Sequence, residues 1–305
     1  MSTGFWQVLG FCVVNVLVAL LVAPLYEGIL RKLRAVIHSR IGPPVTQSYL
    51  DLLKLLGKED LRTTRGPLAA VTPPLALGSV LVLATLVPMG TMPPLGSAGD
   101  IIVLIYVAGM STVLLMLTAF VGGSPYAFVG GSREMMMLLT VEPVMAVALI
   151  VGAVKAGTLA TGGILAWQAG SGPSISMTLA GIALFLALQA QAGKLPFDIA
   201  EADQEVMGGP LVELSGPRLA LMRWALWAKQ LIVAFILVEI FVPWPRLGLF
   251  PLDLVLSLVK ALVVLVLVAV IDVVNPRLRV EQAMRYYLRV VFLALAALSF
   301  AVIGM

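Results

Sequence analysis

Long runs of hydrophobic residues alternate with shorter polar stretches along the chain. A bilayer core is crossed by about 20 mostly apolar residues of helix. Eight segments fit this length, and Pro, Gly and charged residues punctuate every junction between them. The pattern predicts an all-α, polytopic membrane bundle of about eight transmembrane helices at residues 5–30, 70–89, 101–121, 137–156, 175–192, 225–242, 253–272 and 287–304.

The polar stretches between these spans define loops of unequal length. We expect a single integral-membrane domain, residues 1–305, with longer loops at 31–69, 122–136, 193–224 and 273–286. The first of these contains YLDLLKLL (49–56), whose apolar and charged positions predict an amphipathic helix lying in the membrane interface. Corresponding halves with matching interruptions, as found in many transporters, are not evident.

The composition supports a membrane protein. Hydrophobic residues make up 60% of the chain and charged residues 12%, whereas a soluble domain carries about 25% charged residues. The mean hydropathy is +1.05. The first apolar run, Val8–Ala23, lacks a basic region before it and a small-x-small cleavage site after it. We therefore expect a retained first span and not a signal peptide.

Basic residues predict the orientation of the bundle. Seventeen of the twenty Lys and Arg lie in or beside the first, third, fifth and seventh loops. Because basic loops remain on the cytoplasmic side, these loops are predicted to be cytoplasmic and both termini to face outward. This distribution is expected for a multi-pass protein of a prokaryotic cytoplasmic (inner) membrane. It places the acid-rich stretch described below on the cytoplasmic side.

Few residues are suited to holding a cofactor. Cys12 is the one cysteine, which excludes an intrachain disulfide and a cysteine-ligated metal cluster in this chain. His38 is the one histidine, which argues against haem held by two axial histidines. We expect no cofactor or metal in this chain, so any electrons would be carried by a partner. No basic–aromatic surface suggests nucleic-acid binding.

The most distinctive polar stretch is Gly193–Gly216, called here the acidic segment. It holds five of the sixteen carboxylates in the chain: Asp198, Glu201, Asp203, Glu205 and Glu213. On a helix, Asp198, Glu201 and Glu205 would share one face, where like charges repel and nearby lipid makes ionisation costlier. Some of these groups should hold protons or have basic partners. A solvated acidic loop is an equally open interpretation.

Charge inside a membrane is costly and is retained mainly for function, and five charged residues in or beside the predicted spans are candidates on this ground. Glu142, which precedes Pro143, is either a carboxylate inside the fourth span or a capped carboxylate at the membrane interface. Glu239 lies near the outer end of the sixth span, where its side chain could either extend to water or be buried. Asp272 lies beside Arg277, as in an interfacial ion pair, and Lys260 is well inside the seventh span. Glu27 lies four residues before Arg31, as in a surface pair.

Two arginines follow or precede glycines that permit close backbone approach. Arg133 ends GGSPYAFVGGSR, and Arg40 stands in HSRIGPP. An arginine near a carboxylate cluster lowers carboxylate pKa values and fixes geometry. Alternatively, each of these two arginines anchors a loop and has a purely structural role.

Three long motifs, in order, resemble a known family. They are PLYEGILRKLRAVIHSRIGPP with YLDLLKLLGKED (24–60), GSPYAFVGGSREMMMLLTVEP (123–143) and GKLPFDIAEADQEVMGGPLVELSGPRLAL (193–221). The family is the quinone-site membrane subunit of respiratory complex I, with its homologues in energy-converting membrane-bound [NiFe] hydrogenases. The resemblance spans residues 24 to about 285. The chain departs from the complex I pattern at three places: at Lys194 or Leu195, at the residue before Glu142, and at Leu214. At these places it is similar to the formate hydrogenlyase, Ech and CO-linked branch of the family, and similarity to this branch does not imply a bound quinone.

This resemblance implies partners and roles. The partners would be the small iron–sulfur and large [NiFe] subunits, with their [4Fe-4S] clusters and [NiFe] site, an antiporter-like membrane subunit, and membrane lipid. An ion-translocation role falls on Glu142, Asp198, Glu201, Asp203, Glu205 and Glu213, to which the membrane-embedded charges Glu239, Lys260 and Asp272 are added. A cavity or partner-docking role falls on Glu27, Arg31, Arg34, Arg40, Asp51, Lys54, Lys58, Glu59, Arg133 and Lys194.

The resulting hypothesis is electrostatic. No covalent chemistry takes place in this chain; redox turnover in a docked partner shifts the protonation of Glu213, Glu205, Glu201 and Glu142 in turn and so moves protons or sodium ions. Three alternatives remain: a quinone-reducing complex I subunit, a passive membrane anchor and a stand-alone transporter. The first predicts an apolar tunnel opening near Arg40 and Arg133.

Overall fold

The computed structural model describes residues 4–61, 66–90, 92–96 and 99–304, without the side chains of Phe5 and Asp203. Over these ranges the chain forms eleven α-helices and one short 3-10 helix, and no strand. The α-helices are α1 (Phe5–Ile37), α2 (Gln47–Leu56), α3 (Pro67–Leu86), α4 (Ile101–Val121), α5 (Pro125–Ala156), α6 (Thr161–Ser171), α7 (Ile175–Gln191), α8 (Asp203–Val206), α9 (Gly216–Phe241), α10 (Leu252–Val274) and α11 (Val280–Ile303); the 3-10 helix is Gly209–Leu211.

The predicted all-α membrane bundle is confirmed. Seven described helices are long and apolar enough to cross a membrane, namely α1, α3, α4, α5, α9, α10 and α11. The remaining predicted span corresponds to α7, an apolar helix of 17 residues that packs against α5, α9 and α11. At 1.5 Å per residue, α7 is about 26 Å long and so slightly shorter than a hydrocarbon core of about 30 Å.

Several helices extend beyond the predicted apolar segments. Helix α5 begins at Pro125, so most of the predicted loop at 122–136 is helical, and α9 begins at Gly216 inside the predicted loop at 193–224. The reason is visible at Gly131, where an added Cβ would lie 2.8 Å from Cβ of Ala119. The glycines of α5 permit close helix packing here and do not mark a loop.

The amphipathic helix predicted at 49–56 is present as α2, and it packs against α1 and α9. Ser48 and Leu52 are buried, whereas Leu50 and Leu53 are exposed. Helix α6, between α5 and α7, was not predicted because its eleven residues are too few for a span.

Helix α9 lies at the centre of the bundle. It packs against α1, α2, α3, α4, α6, α7 and α10, and its residues from Ala228 to Phe241 are buried without interruption. A helix that is hydrophobic all round is expected in such a position. Any charged group carried by this part of α9 therefore lies inside the protein and not against lipid.

Polar side chains join neighbouring helices by bonding to backbone carbonyls. Asn15 of α1 donates to the carbonyls of Ala84 and Val87 at 3.0 and 3.1 Å, and Trp224 of α9 donates to Leu20 O at 2.9 Å. Tyr26 donates to Leu258 O of α10 at 2.7 Å. These bonds hold α1 in place, which matters because α1 supplies several of the charged groups described next.

Candidate functional site: a charged cavity entering the bundle

The acidic segment connects α7 to α9 across one end of the bundle. Residues 198–202 are not helical, and α8 begins only at Asp203. Asp198, Glu201 and Glu205 therefore do not share a helix face. The segment is held by Leu195 N–H, which donates to Asp272 Oδ1 at 2.8 Å, and by Leu278 N–H, which donates to Pro196 O at 3.0 Å.

A close backbone contact fixes the other half of the acidic segment against α5. A Cβ added at Gly130 would lie 2.6 Å from Gly209 Cα, 2.8 Å from Pro210 Cδ and 3.0 Å from Ala200 O. Only a residue without a side chain permits this approach. The close contact brings the backbone at Ala200, next to Glu201, onto the surface of α5.

Two adjoining cavities lie beneath the acidic segment. The first, called here the mouth cavity, has a volume of about 660 Å³ and is bordered by the end of α1. Its described lining includes seven charged side chains and His38; the charged residues are Arg34, Arg40, Lys194, Asp198, Glu201, Arg223 and Asp272. The lining also includes seven apolar residues, so charged and apolar groups are mixed in it, and the charged ones attract ions and water; the apolar residues are Ala35, Leu195, Met207, Leu211, Val212, Leu219 and Val273.

The second cavity, called here the inner cavity, has a volume of about 370 Å³ and reaches in among the helices. It shares Arg34, Lys194, Asp198, Glu201 and Arg223 with the mouth cavity. Its lining also includes Glu27, Arg31, Glu134, Thr112 and Lys229. Charged groups of α1, α5, α9 and the acidic segment thus converge on one enclosed space.

Glu27 is the most strongly paired of these groups. Its side chain is only 5% exposed, and its carboxylate lies 3.4 Å from Arg31 Nε, 3.1 Å from Arg34 Nη2 and 3.3 Å from Lys194 Nζ. Burial of a carboxylate is tolerated when cations compensate its charge. Glu27 is therefore a buried centre of a four-residue charge network and not merely half of an i,i+4 surface pair.

The carboxylates at the rim of the cavities are also paired with arginines from distant parts of the chain. Arg277 Nη2 donates to Asp198 Oδ2 at 2.8 Å. Asp272 lies 3.4 Å from Arg34 Nε, so its ion-pair partner is on α1 and not the neighbouring Arg277. These pairs connect the seventh loop and α10 to the cavity.

Glu201 is a cavity carboxylate whose surroundings favour its protonated form. Burial, followed by the negative charge of Asp198, raises the pKa of Glu201 to about 7, while Lys194 and Arg223 act in the opposite direction and Glu134 adds to the rise. A group with this pKa gains or loses a proton near neutral pH. The prediction that some acidic-segment carboxylates hold protons thus acquires a specific candidate.

Glu142 lies near the middle of α5, with its carboxylate against α4 where the Cβ of a larger residue at Gly109 would stand. Lys229 of α9 interacts electrostatically with this carboxylate. The structure therefore brings Glu142 near the deep end of the inner cavity, which Lys229 lines.

Glu134 and Lys229 are cavity residues that sequence reasoning missed. The sequence pattern assigns Glu134 to the predicted loop at 122–136 and so outside the spans. Lys229 lies near the start of the sixth predicted span, close to the basic fifth loop, yet it is buried in α9, where its ammonium group donates to the Thr112 hydroxyl. The available signal was a lysine within the apolar stretch ALWAKQLIV.

Other predicted residues lie outside the two cavities. Glu205 is 53% exposed and pairs with Arg133 at 2.6 Å, while Arg133 also donates to Ile199 O at 3.3 Å. The side chain of Glu213 packs over Gly122, at the end of α4. The side chain of Asp203 lies outside the described part of the chain.

The predicted docking residues of the first loop are mostly on the surface. Asp51 of α2 bonds to Arg31 at 2.8 Å and to Gln47 at 2.9 Å; although burial raises the pKa of Asp51, these two hydrogen bonds bring it below its usual value. The other predicted docking residues of this loop have exposed side chains; they are Arg40, Lys54, Lys58 and Glu59. Of these four, only Arg40 lines the mouth cavity.

Glu239 and Lys260 form a separate group at the opposite end of α9. Glu239 is 2% exposed and accepts hydrogen bonds from Arg246 at 2.9 Å, from Gly90 N–H at 3.2 Å and from the Ser257 hydroxyl. Lys260 donates to the carbonyls of Val242, Pro243 and Pro245 at 3.0–3.2 Å. Both residues close the connection between α9 and α10, and neither lines the two charged cavities.

The fold and the cavities define a polytopic membrane protein with a charged entrance at one end of its helix bundle. The family model described as NADH dehydrogenase (NADHdh) matches residues 9–303, and the chain belongs to this family. The resemblance indicated by the three motifs is therefore confirmed.

Individual relatives refine this comparison. The chain is 36% identical to formate hydrogenlyase subunit 4 of Escherichia coli (strain K12) over 279 residues, which cover 88% of this chain and 90% of the relative. It is 35% identical to hydrogenase-4 component C of the same organism over 278 residues, 86% of each chain. Identity to an NADH-quinone oxidoreductase subunit of Anoxybacillus flavithermus (strain DSM 21510 / WK1) is 26% over 270 residues, covering 84% of this chain and 81% of the relative.

A solved structure has a similar fold. A chain in the membrane-bound sulfane sulfur reductase (MBS), an archaeal respiratory membrane complex, superimposes with a TM-score of 0.87 at 30% identity, covering 96% of this chain and 99% of that chain. The relatives are thus components of multisubunit membrane complexes. This chain is a multi-pass membrane protein.

Proposed function

We propose that this chain is the membrane-embedded subunit of an energy-converting [NiFe] hydrogenase complex and couples hydrogen evolution in its partners to ion movement. Support comes from the hydrogenase relatives, which are 35–36% identical, against 26% for the complex I relative. The observation that carries the proposal is the inner cavity, which collects four carboxylates, Glu27, Glu134, Asp198 and Glu201, and ends at Lys229 near Glu142.

The partners follow from the same proposal. The small iron–sulfur subunit and the large [NiFe] subunit dock on the acidic segment and the first loop, and they hold the [4Fe-4S] clusters and the [NiFe] site. An antiporter-like membrane subunit lies beside the bundle. The distribution of basic residues among the loops supports a docking end on the cytoplasmic side of a prokaryotic inner membrane, with both termini outside.

The cavity suggests how the coupling works. A change of charge in a docked iron–sulfur subunit alters the potential at Glu201, whose pKa of about 7 makes its protonation responsive to small perturbations. Glu134 and Asp198 interact with Glu201 electrostatically, so a proton gained or lost there changes the energies of neighbouring sites. The pathway starts at Glu201 and leads inward, and it does not include the exposed Glu205.

The alternative of a quinone-reducing complex I subunit is less well supported. That function requires an apolar tunnel near Arg40 and Arg133. The cavity beside Arg40 has seven charged residues in its described lining, and Arg133 lines neither cavity. The mouth cavity is thus lined by mixed charged and apolar groups and is not a continuous apolar tunnel.

Purification of the intact complex from its native membrane tests the proposal. We expect nickel and iron in the complex, hydrogen evolution, and acidification of inverted vesicles that is abolished by an uncoupler. The Glu142→Gln variant should lower proton movement more than it lowers hydrogen evolution. A nickel-free complex that reduces quinone would overturn the assignment, and unchanged proton movement after neutralising Glu142 and Glu201 together would favour a passive anchor.

A further inference from the structure

A lysine is buried inside the bundle at the inner cavity. Lys229 lies at the middle of α9 and is 3% exposed. Among the described residues, its one hydrogen-bond partner is the hydroxyl of Thr112 on α4. An ammonium group can donate three hydrogen bonds. A charged group inside a membrane bundle is costly and is retained mainly for function.

The position of Lys229 bridges two carboxylates that are separated along α5. Glu134 and Glu142 are eight residues apart, or about 12 Å along the helix axis, which is too far for direct proton exchange. Lys229 interacts electrostatically with both of them. Glu134 lines the inner cavity together with Lys229, whereas Glu142 lies beyond it.

We propose that Lys229 is a proton-relay residue that connects the inner cavity to Glu142, and that the ion moved along this path is a proton and not sodium. This inference rests on the proposed function, because it concerns the route of the coupled ion. In the relay step, one ammonium N–H bond of Lys229 breaks and an O–H bond forms on the ionised Glu142 carboxylate. The neutral amine then takes a proton from the carboxyl group of Glu134.

The same geometry explains the choice of ion. A sodium ion travelling from Glu134 to Glu142 would have to pass the positive charge of Lys229, and like charges repel strongly where the surroundings are poorly polarisable. An amine nitrogen can carry a proton through protonation, whereas sodium is bound in proteins by oxygen ligands. Lys229 thus conducts the proton and opposes the metal cation.

Substitution by arginine separates the relay from a fixed positive charge. Arginine keeps the charge but does not release a proton in proteins. Methionine removes the charge and keeps a long flexible side chain. If Lys229 relays protons, both Lys229→Arg and Lys229→Met block the path. If Lys229 only balances the carboxylates, Lys229→Arg works as well as wild type.

The experiment uses the intact complex in inverted membrane vesicles. Hydrogen evolution is measured by gas chromatography, proton uptake by a pH-sensitive dye, and sodium uptake with radioactive sodium. In both Lys229 variants we expect the protons moved per hydrogen produced to fall on the order of tenfold or more, since a placed proton-transfer group contributes roughly that much or more. Hydrogen evolution with an uncoupler present should stay near wild type.

The control is Lys155→Met. Lys155 is in the last turn of α5, with its ammonium 5.8 Å from the ring centre of Trp167, and it lines neither charged cavity. Its removal should leave the ratio of protons to hydrogen unchanged.

A second variant keeps the inference testable if the Lys229 variants do not assemble. Thr112→Val preserves the shape of the side chain and removes the hydroxyl that accepts from Lys229. We expect a severalfold fall in the ratio with normal assembly. A ratio equal to wild type in Thr112→Val or Lys229→Arg would overturn the relay, as would electrogenic sodium uptake by the wild type. A wild-type complex that moves no ion at all would instead overturn the proposed function.

Discussion

The carboxylate of Glu142 on α5 occupies the space that the first side-chain carbon of any larger residue at Gly109 on α4 would fill. Helices α4 and α5 pack closely at this point, and the missing side chain at Gly109 makes room for a charged one. A membrane-embedded carboxylate is thus held at a defined position by a neighbouring helix.

The Gly109→Ala variant should therefore displace the Glu142 carboxylate without changing any charge. We expect proton movement per hydrogen to fall about tenfold, because a misplacement of about 1 Å can reduce a proton-transfer or catalytic rate by up to roughly 10²-fold. Dye-based proton uptake and hydrogen evolution in inverted vesicles measure the two rates. Gly78→Ala on α3 is the matched control, since an added Cβ there meets nothing within 4 Å. Equal ratios in the two variants would show that the position of Glu142 is not important.

The raised pKa of Glu201 makes a prediction about pH. Its neutral form is favoured in the folded protein, so its contribution to stability is greatest at acid pH and decreases as pH rises from 4.5 toward about 7. Asp198→Asn removes a negative charge that raises this pKa, and it also releases Arg277 from its ion pair. The pKa of Glu201 should therefore move to a lower value.

Infrared difference spectroscopy of the purified complex can follow this shift through the protonated-carboxyl band that Glu201→Gln removes. Half-protonation should occur at lower pH in Asp198→Asn than in wild type, whereas Glu281→Gln, which is largely exposed on α11 and lines neither cavity, should cause no change. A midpoint that stays in place or rises would contradict the electrostatic coupling. The other charged groups that line the two cavities remain in both proteins: Glu27, Arg31, Arg34, Arg40, Glu134, Lys194, Arg223, Lys229 and Asp272.

Neutralising Glu27 should destabilise the bundle. Glu27→Gln leaves Arg31, Arg34 and Lys194 without their shared carboxylate. Breaking a buried ion pair costs about 3–5 kcal/mol, and partial exposure of the three cations reduces this to about 2–3 kcal/mol. Thermal unfolding of the detergent-solubilised chain should show a lower midpoint.

The comparison for Glu27 is Glu281→Gln, which removes a pair at 3.8 Å between two largely exposed side chains. Surface pairs of this kind contribute little, so the melting temperature should not change. If the two variants melt at the same temperature, the network around Glu27 is not a stabilising feature.

The sequence predicted the spans well because each depends on a local property, the length of an apolar run. Seven predicted spans correspond to long helices and the eighth to α7. The continuation of α5 through Gly130 and Gly131 was not predictable, since the advantage of glycine there arises from contact with Gly209 and Ala119, which are distant in sequence.

The charge pairs show the same limit. Sequence proximity suggested Glu27 with Arg31 and Asp272 with Arg277, and the first pair is present within a larger network. The partner of Asp272 is Arg34, and that of Arg277 is Asp198. Neighbours in sequence were a poor guide because the acidic segment folds across the end of the bundle and brings separate helices together. Lys229 was misjudged for the opposite reason: its place beside a predicted loop hid its burial within α9.

The contact between Gly130 and Gly209 makes the last prediction. An added methyl group at position 130 would meet the backbone at Gly209 and Ala200 at 2.6 and 3.0 Å, and backbone cannot yield as a flexible side chain can. Gly130→Ala should therefore push the acidic segment away from α5, with overpacking that costs about 1–3 kcal/mol. The segment carries Glu201 and is part of the proposed docking surface, so proton movement and partner retention should both fall. Gly123→Ala is the control, because a Cβ there meets nothing within 4 Å. Thermal unfolding and co-purification of the partner subunits measure the two effects, and a Gly130→Ala complex as stable and complete as Gly123→Ala would show that this contact does not position the acidic segment.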